Sequence, residues 1–195
     1  LMWASKNNQI DIVNFLLAKG ANVNAQDSAG YSALIYASNE GNVKVAVDLV
    51  EHKADLNIQT NNGNTPLIIA VQHGQLNIVR LLADKGAKLD LADGGGYTAL
   101  MHAAQDQHES ANKIAAFLIK KGANVNAKDE EGYTVLMTAA EAGHTKVVDL
   151  LLKNGADKSQ KDSEDMTALD YAQADMEDLE PTEAKEKRAI AKMLK

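Results

Sequence analysis

One motif returns through the chain in a fixed register. Gly-x-Ser/Thr-x-Leu-x-x-Ala begins at Gly30, Gly63, Gly96 and Gly132, and it returns with Asp165 in the glycine position. The successive spacings are 33, 33, 36 and 33 residues. A Gly-Ala pair at positions 20–21, 86–87, 122–123 and 155–156, with Lys53-Ala54 in the remaining slot, keeps the same spacings. Two independent markers sharing one three-residue insertion restrict the chain to a repeat architecture, in which each unit buries its apolar face against its neighbours.

The columns between the markers describe the unit. Leu1, Leu34, Leu67, Leu100, Leu136 and Leu169 each stand three residues before Ala4, Ala37, Ala70, Ala103, Ala139 and Ala172. That spacing is one stripe of a helix, and the alanine lets a neighbour approach closely. Ile12, Val45, Ile78, Ile114 and Val147 precede Leu16, Leu49, Leu82, Leu118 and Leu151 by four residues, which predicts a second amphipathic helix. Ser32, Thr65, Thr98, Thr134 and Thr167 occupy the N-cap position of the first helix, and Pro66 follows one of them. The glycine before each alanine is placed for a left-handed residue ending the second helix. Lys53 breaks that rule, so strain of roughly 1 kcal/mol is expected there.

A helix–turn–helix followed by a β-turn every 33 residues resembles the ankyrin repeat. Thr65-Pro66-Leu67 with Ala70 matches most of that family's T-P-L-H-x-A signature. The resemblance implies an all-α ankyrin-repeat solenoid of about six helix–turn–helix units joined by β-turn loops, curved around a concave binding face. As a single domain over 1–195, its repeats run approximately 1–26, 27–59, 60–92, 93–128, 129–161 and 162–195. In the family a motif histidine ties neighbouring loops together. Here Met2, Ile35, Ile68, Met101, Met137 and Asp170 stand in its place, so apolar packing is expected to hold the stack instead.

Two units are irregular. The fourth carries its extra residues within 105–111, between its helices. The sixth is lengthened by about ten residues around 174–183, before a last helix that Pro181 is expected to start. Glu183, Glu186, Lys187 and Lys192 would give that helix a polar face, as suits a cap closing an open end.

Composition removes several functions. Net charge is −7, with a pI near 5.2, which gives no sequence-wide attraction to nucleic acid or anionic membrane. The C-terminal cluster Lys185, Lys187, Arg188, Lys192 and Lys195 is interleaved with Glu183 and Glu186, so it reads as a solvated helix face. The chain has no cysteine, hence no disulfide, thiolate metal site or cysteine nucleophile. No apolar run approaches the roughly 20 residues that cross a bilayer, so membrane insertion is not expected. His102, Asp106 and His108 would be the only conceivable metal set, but their spacing does not share a helical face, and no metal or cofactor is expected. Asp93-Gly94-Gly95-Gly96 lacks the Gly-Lys-Ser/Thr of a phosphate loop, and no catalytic motif or catalytic residue is found, so the chain is not expected to be an enzyme.

Recognition is the remaining function. In ankyrin proteins partners meet the turn tips and the first helices. Mapped onto this sequence, the partner-binding residues are Tyr31, Glu40, Asn62, Asn64, His73, Tyr97, Asp106, Glu130, Glu131, Tyr133 and Glu141. Tyrosine at the tips serves as an anchor or packs across its own turn. Trp3, Tyr36, Ile69, His102, Thr138 and Tyr171 form a further column, expected to be half buried. Glu164 and Asp175 extend the acidic side, and the tips carry no Lys or Arg. The resemblance and this charge together imply a basic protein partner and a non-catalytic, inhibitor or immunity-type role in a monomer. A cell-wall-acting enzyme is one such partner, and a scaffold or adaptor is the alternative. A bacterial protein, processed at its N-terminus and exported to the periplasm ahead of residence in the cytoplasm, is the matching expectation, because the sequence starts inside its first repeat and lacks cysteine.

Overall fold

The computed structural model describes residues 1–106, 110–174 and 180–195, and in these residues twelve helices occur. They run α1 Met2–Lys6, α2 Ile10–Ala18, α3 Ala33–Glu40, α4 Val43–Glu51, α5 Pro66–Gln72 and α6 Leu76–Asp84. Then follow α7 Ala99–Gln105, α8 Ala111–Lys120, α9 Val135–Glu141, α10 Thr145–Lys153, α11 Ala168–Gln173 and α12 Pro181–Leu194. The chain divides into two compact units, Leu1–Gly94 with α1–α6 and Gly95–Lys195 with α7–α12. In the first, α1, α3 and α5 pack in succession, and so do α2, α4 and α6. In the second, α7, α9 and α11 form one row and α8, α10 and α12 the other.

The helix starts follow from the side chains foreseen. Ser32, Thr65, Thr98, Thr134 and Thr167 each accept a hydrogen bond from the backbone N–H three residues on, satisfying an otherwise orphan donor. Leu34, Leu67, Leu100 and Leu136, with Ala37, Ala70, Ala103 and Ala139, are fully buried, so the first-helix stripe is the core of each unit. Val45, Ile78, Ile114 and Val147 complete it from the second helices.

The second helices end as the Gly-Ala marker requires. Gly20, Gly86, Gly122 and Gly155 have φ of 80–93°, and Lys53 takes the same conformation at φ 66° without glycine's freedom. Asp165 likewise adopts φ 62° where the other turns hold glycine. Lys53→Gly should therefore raise stability by about 0.5–1 kcal/mol, since the side chain is exposed and only the backbone penalty changes. A urea midpoint identical to wild type would show that Lys53 carries no strain.

Three expectations are corrected. The loops are not left to apolar packing. Gln26 Nε2 donates to Gly30 O (2.6 Å) in its own turn and to Gln59 O (2.8 Å) in the next. Gln59 repeats the arrangement onto Gly63 O and Ala92 O. Asn24, Asn57 and Asn126 each accept, through Oδ1, the backbone N–H of the residue 31 positions on. Amide side chains thus satisfy loop backbone groups at regular spacing and take over the role of the absent histidine. The histidine slot itself is also used for capping: Thr134 N–H donates to Met137 Sδ, and Thr167 N–H to Asp170 Oδ2.

The second correction is Trp3, which is 68% exposed. Its counterpart Tyr36 is covered by Asp27 and Tyr31 of the preceding turn. Ile12 (44%) and Phe15 (61%) are exposed as well, whereas Val45, the next residue in the Ile12 column, is fully buried. The third is Lys187, placed on the polar face of α12 but only 8% exposed. Its ammonium donates to Tyr171 O and Ala174 O at the end of α11, where carbonyls lack helical partners. Pro181 does begin α12, at the tolerated first position.

Candidate binding surface

In the Leu1–Gly94 unit, the tips follow directly from turn chemistry. Asp27 Oδ1 accepts the N–H of Ala29 and of Tyr31, which closes the turn and aims the Tyr31 ring at α3. Tyr31 and Tyr36 lie with ring centroids 5.1 Å apart, and Tyr36 Oη donates to Asp27 Oδ2. The hydroxyl of Tyr36, with the Tyr31 amide, pulls the Asp27 carboxyl below its ordinary value, and the same bond pushes the Tyr36 phenol up. Lys6, at the end of α1, sits with Nζ 5.7 Å from the Tyr36 ring centroid, within cation–π range. Asn62 is exposed and lends its carbonyl to Gly94 N–H. Asn64 is half-buried, with its side chain accepting from Gln72, and His73 ends α5 with Nδ1 against Ile69 O. Glu40 is exposed at the end of α3.

The Gly95–Lys195 unit repeats the design with different side chains. Tyr97 is half-buried against His102 at 5.6 Å. Tyr133 packs edge-on against Tyr171, centroids 5.0 Å apart and planes at 86°, and its hydroxyl donates to Glu141 at the end of α9. Tyr171 in turn donates to Asp162 Oδ2. Burial pushes the Tyr133 phenol well above its usual value, reinforced by the Glu141 bond. The Tyr171 phenol is raised first by its bond to Asp162. Burial raises the Asp162 carboxyl, but the Tyr171 hydroxyl and the Met166 and Glu164 amides outweigh it, so the net shift is downward. Both phenols therefore stay neutral donors at physiological pH.

Glu130, Glu131 and Glu164 are exposed on the tips, and Glu141 is exposed beside Tyr133. Among the described residues none of these four carboxylates is ion-paired. Asp106 is half-buried just after α7. His108 and Asp175 lie outside the described residues. Among the described residues no group of three or more His, Cys, Asp or Glu could hold a metal ion, and no helix is long and apolar enough to cross a membrane.

Sequence reasoning named Tyr31, Tyr97 and Tyr133 but not what they rest on. The missed signal is the pair of an aspartate and a tyrosine nine residues apart, which occurs at Asp27/Tyr36 and again at Asp162/Tyr171. Lys187, taken for surface charge, escaped notice because a helical wheel does not show which carbonyls end nearby.

The family model described as ankyrin repeats (3 copies) matches residues 1–93, 86–162 and 110–178. The chain belongs to the ankyrin-repeat family. Ankyrin repeats generally mediate protein–protein binding and are typically non-catalytic modules, so a protein is the expected class of partner for the ankyrin chain. No curated protein matches the sequence.

Proposed function

We propose that the chain is an inhibitor-type ankyrin module that covers a basic partner enzyme with its turn tips and first-helix ends. The observation that carries this reading is the set of carboxylates with no ion pair among the described residues, Glu130, Glu131, Glu141 and Glu164, in the unit that carries the half-buried Tyr97 and Tyr133. Unneutralised charge next to aromatic area speeds encounter with a cationic surface and then anchors it. An enzyme acting on an anionic polymer such as cell wall presents the complementary basic rim, and an exported bacterial ankyrin protein would meet it in the periplasm.

The test is capture from the source cells at low and high salt, followed by assay of the captured enzyme with the chain added back. The expected partner is basic, is released by salt and loses activity. Retained activity would replace inhibition by recruitment. Tyr97→Ala should weaken binding by roughly 1–3 kcal/mol, as a central anchor does. Glu131→Lys should mainly slow association and flatten its salt dependence. Lys19→Ala, which removes an exposed cation stacked on Phe15 after α2, should bind normally. Loss of binding in Lys19→Ala alone would put the partner on another face.

A further inference from the structure

The two units answer the same structural position with opposite charge. Tyr36 and Tyr171 occupy equivalent places within α3 and α11, and each donates its hydroxyl to an aspartate nine residues earlier. Over Tyr36 lies the ammonium of Lys6, thirty residues upstream, so a cation already rests on this ring in the first unit. Thirty residues upstream of Tyr171 the chain carries Glu141 instead. The ring of Tyr171 is met edge-on by Tyr133, whose hydroxyl holds the Glu141 carboxylate beside the pair. That carboxylate keeps further acceptor capacity and has no ion pair among the described residues, and neither does Glu164 nearby.

From this we infer that Tyr133, Tyr171 and Glu141 form a cradle for a lysine or arginine side chain supplied by a partner protein, at the position where Lys6 lies over Tyr36. The aromatic faces provide cation–π attraction, and the carboxylate provides a charge-assisted hydrogen bond to the same head group. The tilt of Tyr133 and its bond to Glu141 fix both elements before the cation arrives, which lowers the ordering cost of binding. This rests on the acidic-surface reading and adds to it a second anchoring contact besides Tyr97, the Tyr133–Tyr171 pair.

The experiment titrates the intact chain with tetra-arginine peptide, blocked at both ends, with tetra-glutamine as the neutral control. Ring-proton resonances of Tyr133 and Tyr171 report the site. Tetra-arginine should shift both rings saturably and tetra-glutamine should not. Glu141→Gln, which keeps an acceptor for Tyr133 but removes the charge, should weaken the response about five-fold. Glu141→Lys should place its own ammonium over Tyr171, shifting that ring without peptide and abolishing the titration. Because position 141 is exposed at a helix end, the remaining amide spectrum should be unchanged. Unmoved rings, or a titration that survives in Glu141→Lys, would overturn the cradle. If the rings stay still while the Glu130 and Glu131 amides titrate, the cradle falls and the acidic surface stands. If neither responds, both fall.

Discussion

Leu82→Ala should lower the stability of the Leu1–Gly94 unit by about 2–5 kcal/mol, the cost of a cavity in a packed core. Leu82 lies in α6, is fully buried, and belongs to the column that meets the first-helix stripe of Leu67 and Ala70. Truncation removes most of its dispersion contacts, and the α5–α6 pair cannot collapse freely, because α3 and α4 fix it from one side. The comparison is Glu51→Ala at an exposed site on α4, where a change within about 0.5 kcal/mol is expected. Urea unfolding followed by circular dichroism measures both. Equal midpoints for the two variants would remove Leu82 from the core.

Why so much of this fold could be read from sequence is itself physical. A repeat states its rules several times, so the N-cap hydroxyls, the leucine–alanine stripe and the left-handed C-terminal residue each appear as columns. Lys53 illustrates the strength of that argument, since its φ of 66° follows from its column and not from its own preferences. What the columns could not show are contacts made only once. Trp3 obeys its column in sequence but stands exposed, whereas Tyr36 in the same column is held by Asp27 and Tyr31. Lys187 belongs to a helix that matches no earlier unit, and its burial depends on where α11 ends. The binding residues fall between these cases. Tip tyrosines were visible as a column, whereas Tyr133 against Tyr171 joins a tip to the following repeat's first helix, and the charge reversal from Lys6 to Glu141 acquires meaning only once that geometry is known.

Removal of residues 180–195, which contain α12, should destabilise the Gly95–Lys195 unit by several kcal/mol and make the chain aggregate. Helix α12 packs on α9, α10 and α11 through Ala184, Ile190, Ala191 and Leu194, all buried. Ile190 and Leu194 alone account for about 3–6 kcal/mol of apolar burial, before the realistic compactness of the unfolded chain reduces it. Its outer face, with Glu183, Lys185, Glu186, Arg188 and Lys192 exposed, is what water meets in place of α10 and α11. The ammonium of Lys187 adds a second connection, because without it the α11 carbonyls of Tyr171 and the Ala174 carbonyl lose a charged donor. Loss should therefore begin at α11 and spread to α9. Hydrogen exchange resolves the order: amide protection should fall first in α11, then in α10 and α9, while α3–α6 remain protected. Lys187→Met, which keeps the buried stem and removes the charge, should reproduce the α11 effect without the aggregation. A soluble truncation with unchanged protection in α9–α11 would show that α12 is no cap.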